Sequence, residues 1–124
     1  MRQVDSNIVI DAMKPGAAGP AALAADVEPI CVSVATLVEV LGFHQLDPLS
    51  RRSLEAFFAM LDVLPIDDRV IRQAIALRQT RKMSLGDALI AATALVLKLP
   101  LVTRNTRDFS WIADLTLIDP GAAP

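Results

Sequence analysis

Several residue types are scarce in this chain of 124 residues, and their scarcity excludes certain kinds of site. The chain has one cysteine, one histidine and one tryptophan, and it has no tyrosine. Because Cys31 is the only cysteine, no disulfide can form within the chain, and we expect a small buried hydrophobic residue there. The single histidine, His44, has no partner in the sequence pattern and is predicted to be structural. The sequence therefore argues against a zinc site.

Motifs of several common enzyme classes are also missing. The five glycines form no phosphate-binding loop, and no GxSxG nucleophile motif occurs. The most apolar run, Ala88–Leu97, has about half the length that a membrane-spanning helix requires. Asp5 and Asp11 interrupt the N-terminus, so no signal peptide is predicted. We therefore expect a cytoplasmic protein without membrane contact.

Apolar residues, by contrast, are abundant. Hydrophobic residues make up 53% of the chain and charged residues 21%, and the excess is mostly alanine, leucine and valine. This length and composition suffice for one hydrophobic core, so residues 1–124 are predicted to form a single domain. The apolar surplus also leaves room for an exposed patch that would contact a partner or a second copy of the chain.

Positive charge is distributed unevenly, although the net charge is only -2. Five basic residues flank the stretch Ser84–Phe109, namely Arg78, Arg81, Lys82, Arg104 and Arg107. A cationic rim of this kind could hold phosphate groups even on an acidic protein. A solvated helix face explains the same pattern equally well, and the pattern leaves both interpretations open.

Short apolar runs alternate with segments of helical periodicity along the chain. Strands are predicted at Met1–Val4, Ile30–Val34, Val63–Ile66, Leu101–Thr103 and Leu115–Ile118, with helices between them. Pro65 predicts that the third strand lies at an edge of the sheet or ends at the proline. The segment Lys14–Asp26 is predicted to be a loop leading into a short helix near Pro20. The alternation predicts an α/β fold, a three-layer α/β/α sandwich around a central, mainly parallel sheet.

Acidic residues from separate segments are predicted to meet at one edge of this sheet, because sites in parallel sheets form beyond the carboxyl ends of the strands. Asp5 directly follows the first strand, and Glu39 lies early in the helix after the second. Asn105 and Asp108 follow the strand at Leu101, and Asp87 begins a helix that could lead to the same edge. Such carboxylates would repel each other, and a hard cation with oxygen ligands, Mg²⁺ or Mn²⁺, would remove that repulsion.

Each of these acids also has an ordinary structural explanation. Asp5 could form an Asx-turn, and Asp87 stands three residues after Ser84, which is the spacing of a capping box. Asp108 could lie in the favourable first turn of a helix. Glu39, whose helix neighbours are nearly all apolar, could be a buried acid paired with an arginine. The pattern alone leaves these explanations open.

Four motifs, in this order, resemble the PIN domain, and most closely the VapC-type ribonuclease toxins of bacterial toxin–antitoxin pairs. They are VDSNIVID, SVATLVEV, SLGDALIAATAL and LVTRNTRDF, and the resemblance covers nearly the whole chain. By this resemblance Asp5, Glu39 and Asp87 match the three main acidic positions of the family. Asp108 matches a further acidic position in many members, while Asn105 stands where some relatives carry an acid. The resemblance therefore leaves the fourth metal ligand open between these two residues.

The polar neighbours of the acids also match family positions. Ser6 replaces the commoner threonine of the first motif and keeps its hydroxyl. By the resemblance, Asn7 and Thr103 support the acids or a water molecule, and Arg104 and Arg107 are expected to contact the RNA backbone.

The resemblance implies hydrolysis of an RNA phosphodiester with Mg²⁺ or Mn²⁺, in which Asp5, Asp87 and Glu39 hold the metal. It also implies a homodimer and a cognate VapB-like antitoxin whose C-terminal segment lies over the active site. Two alternatives remain at this point. One is a housekeeping nuclease of the same fold, acting in RNA processing or DNA metabolism. The other is a non-catalytic binding module, and the presence of all four acids argues against it.

Overall fold

The computed structural model describes residues 1–17, 19 and 28–121. The short helix predicted near Pro20 lies outside the described residues. The described residues form five strands and six helices in the order β1 (Arg2–Val4), α1 (Ser6–Ala12), β2 (Ile30–Ser33), α2 (Val34–Leu41), α3 (Pro48–Ala59), β3 (Asp62–Leu64), α4 (Asp68–Thr80), α5 (Leu85–Leu97), β4 (Leu101–Val102), α6 (Thr106–Phe109) and β5 (Leu117–Ile118).

The strands form one parallel sheet in the order β3-β2-β1-β4-β5. The central strand is β1, in which Gln3 is in register with Cys31 on one side and with Leu101 on the other. The strand before Pro65 lies at the edge, as the proline predicted. Every strand pair among the described residues is parallel, so the predicted mainly parallel α/β fold is confirmed.

Helices cover both faces of the sheet and create two hydrophobic cores. Side chains alternate between the faces along each strand, so Leu101 packs with α4 and α5 while Val102 packs with α1 and α3. The first core includes Ile90 and Phe109, and both side chains are fully buried. The arrangement is the three-layer sandwich that the alternation of elements predicted. No helix among the described residues is long and apolar enough to cross a membrane.

Capping side chains place the helix starts close to the strand ends. Asp5 is the only residue between β1 and α1, and it caps α1. Ser33 is the last residue of β2 and caps α2, which explains why β2 is shorter than predicted. Ser84 caps α5, and the latter ends at Leu97, before Pro100. Because these turns are so short, side chains in the first turns of α1 and α2 lie at the carboxyl edge of the sheet.

Candidate functional site

Asp5 lies at the end of the central strand and is almost entirely buried, with 4% of its surface exposed. Its Oδ1 accepts a hydrogen bond from the backbone N–H of Ser6 at 2.7 Å. Its Oδ2 accepts one from the Thr103 hydroxyl at 2.8 Å and a longer one from the Asn7 amide at 3.3 Å. Three neighbours therefore hold the carboxylate in one orientation. The cap on α1 shows that the ordinary explanation for Asp5 also holds, and one carboxylate can serve both purposes.

Ser6 connects α1 to α2 through its side chain. The Ser6 hydroxyl donates a hydrogen bond to Glu39 Oε1 at 2.8 Å, and it lies 3.2 Å from the hydroxyl of Thr36. Glu39 itself is exposed and forms no ion pair with a described residue. The alternative of a buried acid paired with an arginine is therefore wrong. On the same helix Ala35 and Val40 are buried in the cores whereas Val38 is exposed, and the Glu39 carboxylate faces the edge where Asp5 lies.

Gly86 lets α5 approach the Glu39 carboxylate closely. A Cβ atom added at Gly86 would lie 2.6 Å from Glu39 Oε2, a distance that real Cβ atoms essentially never show, so the Glu39 carboxylate would have to move. No sequence motif indicates this role of Gly86, and its only local signal is its position directly before Asp87. The absence of a side chain at Gly86 is what brings Glu39 next to the first turn of α5.

Asp87 occupies that first turn and is half-buried. Its backbone N–H donates to the Ser84 hydroxyl at 3.1 Å, so the predicted capping geometry is present. Asp108 lies in the first turn of α6, as its ordinary explanation predicted, and its side chain is exposed. Both acids therefore have their ordinary position at a helix start, and this position leaves their carboxylates free to take part in a site.

Two of the acids have raised pKa values. Burial is the main cause for Asp5, opposed by its hydrogen bonds to Thr103 and Ser6, and the charges of Asp87 and Glu39 raise its pKa further. Burial is also the main cause for Asp87; the Ser84 hydroxyl lowers its pKa, and the charges of Asp108 and Glu39 raise it. The four carboxylates thus belong to one electrostatic group centred on Asp87. A cation in this group would offset the repulsion.

The donor chemistry of this group fits a hard cation, although the group is not a closed cage. No three acidic, histidine or cysteine side chains among the described residues are close enough together to enclose a metal on their own. Mg²⁺ commonly takes only one or two protein carboxylates and fills its other positions with water and substrate oxygens. An all-oxygen group of this kind therefore suits Mg²⁺ or Mn²⁺. The assignment of Asp5, Glu39, Asp87 and Asp108 as ligands stays a prediction.

Asn105 and Asp108 differ in their relation to the other acids. The backbone N–H of Asn105 donates to the Thr103 hydroxyl at 3.1 Å, and its exposed side chain does not cap α6. Asp108 acts directly on Asp87 through its charge. Asp108 thereby belongs to the group of charges, whereas the uncharged amide of Asn105 cannot act on Asp87 in this way. The choice between them as fourth metal ligand stays a prediction.

The two arginines of the same loop have different surroundings. The Arg104 guanidinium forms an ion pair with Asp11, and its backbone N–H donates to Asn7 Oδ1 at 3.4 Å. Arg107 lines a groove together with Asp87 and Asp108. His44 lies apart from this site and packs edge-on against Phe43 with a centroid distance of 5.3 Å.

The order of acids along this sheet edge can be compared with known proteins. The model of the PIN domain family matches residues 3–115. The chain belongs to the PIN domain family. The resemblance found in the four motifs is thereby confirmed, and the acids lie on a PIN domain in which β1, α2 and α5 supply Asp5, Glu39 and Asp87.

Solved structures show the same fold in full-length alignments. A toxin–antitoxin complex from Klebsiella pneumoniae contains a chain that is 28% identical, with a TM-score of 0.77, and the match covers 99% of this chain and 100% of that one. FitAcB from Neisseria gonorrhoeae matches at 23% identity and a TM-score of 0.79, over 99% and 100% of the two chains. DNA-bound VapBC from Salmonella typhimurium matches at 24% identity and a TM-score of 0.78, over 96% and 98%.

The last two likenesses concern the fold alone, because their sequence identities are low. No curated protein matches the sequence significantly. The PIN domain described here has the fold of VapC-type toxins.

Proposed function

We propose that this PIN domain is a metal-dependent endoribonuclease and the toxin of a toxin–antitoxin pair. The observation that carries the proposal is the group of four carboxylates at the carboxyl edge of the sheet, in which the charges of Glu39 and Asp108 raise the pKa of Asp87. Such a group repels a further negative charge, such as an RNA phosphate, unless a bound cation offsets the carboxylates. The full-length similarity to a chain of a Klebsiella toxin–antitoxin complex supports the toxin assignment.

Each residue of the site has a distinct task in this proposal. Asp5 is held by Thr103 and Ser6 and would present a fixed oxygen to the cation. Ser6 orients Glu39, and the Asp87 carboxylate extends from the start of α5. The bound Mg²⁺ or Mn²⁺ would polarise the phosphodiester and generate a nucleophilic water. The protein's own contribution is to orient the carboxylates before the RNA arrives.

The nuclease proposal is tested by cleavage of RNA with purified protein. We expect the wild type to cut single-stranded RNA when Mg²⁺ or Mn²⁺ is present and to stop when EDTA is added. Asp87→Asn should abolish cleavage, and Asp114→Asn, an exposed acid outside the site, should leave it unchanged. Cleavage by Asp87→Asn at the wild-type rate would overturn the metal-site assignment.

Expression in bacteria separates a toxin from a housekeeping nuclease. We expect wild-type expression to arrest growth and Asp5→Ala expression to permit it. Sequencing of RNA ends after brief expression would identify the cleaved RNA. Normal growth with an active nuclease would favour the housekeeping alternative.

The antitoxin is proposed to occupy an apolar groove beside Glu39. This groove has a volume of about 270 Å³ and lies between α1, α2 and α3, where Ile10, Phe43 and Leu54 line it. Ile10 and Phe43 expose 47% and 52% of their surfaces, which is unusual for large apolar side chains next to a polar site. A peptide segment with apolar side chains would bury them and cover Glu39 at the same time.

Co-purification with the product of a neighbouring gene tests this partner. Phe43→Glu should abolish co-purification and restore toxicity in the presence of the antitoxin. Met60→Glu is the matched control, because Met60 is 63% exposed but lies at the end of α3, outside the groove. Equal effects of the two variants would contradict the assignment of the groove.

A homodimer is proposed from the exposed apolar side chains. Ile71 and Ile75 lie one turn apart on α4 and remain exposed in the single chain. Light scattering on the purified protein measures the assembly directly, and a mass of one chain would contradict the proposal.

A further inference from the structure

A second groove opens on the other side of the carboxylates and is lined with basic side chains. Its walls carry Arg78, Arg81, Lys82 and Arg107, and its volume is about 750 Å³. Trp111 lies at one end, and Asp87 and Asp108 form part of the same wall. We call this the basic groove. It joins the C-terminal end of α4 to α6 and leads directly onto the acidic group.

The charges in the basic groove are offset by no acid, in contrast to the basic residues on the other side of the site. Arg104 and Lys14 share the single carboxylate of Asp11, so part of the positive charge beside α1 is offset. Among the described residues, none of the four basic side chains of the groove forms an ion pair, although Arg78 donates a hydrogen bond to the backbone carbonyl of Met83 at 3.3 Å. In the described part of the chain, the groove therefore carries most of the positive charge next to the carboxylates that no acid offsets.

Trp111 adds an aromatic surface to the basic groove. Its indole N–H donates to the backbone carbonyl of Asp108 at 3.0 Å, which fixes the ring next to the acidic group. The Arg81 guanidinium lies 5.7 Å from the centre of the ring. A fixed indole combined with a guanidinium forms a platform on which an unpaired nucleobase can stack.

We propose that the basic groove holds the single-stranded RNA segment next to the cleaved phosphodiester. Arg78, Arg81, Lys82 and Arg107 contact its phosphates, and one base stacks at Arg81 and Trp111. The platform selects a single strand, because a duplex offers no exposed base face in its interior. This inference rests on the proposed nuclease function and adds the path of the substrate. Arg104, which the resemblance paired with Arg107 as an RNA contact, does not line the groove.

Binding of a short labelled RNA in the presence of EDTA tests the groove without cleavage. The test variant is Arg81→Gln/Arg107→Gln. The control is Arg52→Gln/Arg72→Gln, which removes the same charge from two exposed arginines that form no ion pair with described residues and lie outside the groove. We expect the test variant to bind RNA about tenfold or more weakly than the wild type. The slope of log affinity against log salt concentration should become shallower by about 1.4, because two phosphate contacts are lost. The control should change the affinity by less than about twofold. Equal losses in both variants would overturn the proposal, because net charge alone would then explain binding.

Intrinsic fluorescence locates the bound RNA independently. Trp111 is the only tryptophan and the chain has no tyrosine, so emission reports on the surroundings of this one side chain, which lines the basic groove and also a neighbouring groove beside Leu99. RNA should quench this emission at the concentrations at which it binds, and the Arg81→Gln/Arg107→Gln variant should show the quenching only at higher RNA concentrations. Unchanged emission at saturating RNA would exclude the groove. Equal quenching and competition by duplex DNA or by polyglutamate would show a general anion site and overturn the assignment to RNA.

Failure of this inference can be distinguished from failure of the proposed function. Cleavage by the wild type with Mg²⁺, together with undiminished RNA binding and cleavage by Arg81→Gln/Arg107→Gln, would overturn the groove and leave the nuclease intact. Groove-dependent binding and quenching without any cleavage would support the groove and overturn the nuclease. Thermal unfolding of each variant, followed by circular dichroism, confirms that the compared proteins are folded.

Discussion

The Ser6 hydroxyl donates a 2.8 Å hydrogen bond to Glu39 Oε1, across 33 positions of the sequence. Glu39 is exposed, and this bond together with the close approach of Gly86 determines where its carboxylate lies. Ser6 in turn follows Asp5, whose carboxylate accepts from the Ser6 backbone. One serine therefore fixes two of the four acids relative to each other.

Removal of this hydroxyl should affect activity more than stability. We expect Ser6→Ala to lower metal affinity or cleavage about tenfold, because residues that orient metal ligands commonly have effects of that size. The free energy of unfolding should fall by only about 1 kcal/mol, since a hydrogen bond to the exposed Glu39 and a longer contact with the Thr36 hydroxyl are lost. Ser6→Thr, which restores the hydroxyl, should recover activity. Ser53→Ala, an exposed serine on α3, is the control, and a loss of activity there equal to that of Ser6→Ala would contradict the role of Ser6.

Substitution of Gly86 should separate stability from activity even more clearly. Gly86→Ala favours the helical state of α5 by up to about 1 kcal/mol. The new Cβ would lie 2.6 Å from Glu39 Oε2, and the end of that flexible, exposed side chain must move away. We therefore expect an unchanged or higher melting temperature, together with weaker Mg²⁺ binding by calorimetry and slower cleavage. In a Glu39→Ala background the same substitution should have no further effect on Mg²⁺ binding, and an additional loss there would show that Gly86 acts in some other way.

The raised pKa of Asp87 predicts a pH-dependent loss of folding stability in the metal-free protein. Burial, Glu39 and Asp108 make the folded state bind a proton at Asp87 more readily than the unfolded chain does. At a pH above the pKa that Asp87 has in the folded protein, the ionised carboxylate therefore lowers the free energy of unfolding. This loss disappears as the pH falls to the pKa of aspartate in the unfolded chain, about 3.9. With EDTA present, Asp87→Asn should be at least as stable as the wild type near about pH 7, and the difference should shrink toward about pH 4. A variant that is less stable at neutral pH would contradict this electrostatic account.

Mg²⁺ should reverse the order of stability of these two proteins. A ligand that binds only the folded state raises its stability with concentration. We expect the wild type to gain melting temperature as Mg²⁺ is added and Asp87→Asn to gain little. Asp114→Asn should follow the wild type. A similar gain in all three proteins would indicate a cation effect outside the site.

Cys31 should be chemically inert in the folded protein. Its side chain is fully buried, and burial raises the pKa of its thiol to about 11. Because the thiolate is the reactive form, alkylation at mildly alkaline pH should be slow in the native state and fast in urea. The measurement is the rate of iodoacetamide labelling by mass spectrometry. Labelling at the same rate with and without urea would contradict the burial of Cys31.

The sequence by itself determined much of the architecture, because its main signals are local. Apolar strands alternating with helices predicted the parallel three-layer fold, and Pro65 predicted an edge strand. The cap residue Ser84 predicted the start of α5, since capping depends only on the side chain and the next few backbone amides. Asp5, Asp87 and Asp108 were predicted for the same reason, because each stands directly after a strand or in the first turn of a helix. Glu39 was predicted because it is the only charge on an otherwise apolar helix.

The tertiary structure decided which of these side chains act together. Glu39 is exposed and bonded to Ser6 rather than buried with an arginine. The charge of Asp108 acts on Asp87. Arg104 forms an ion pair with Asp11, 93 positions away, whereas Arg107 lines the basic groove. Each of these outcomes depends on contacts between distant segments, and neither periodicity nor spacing along the chain contains that information.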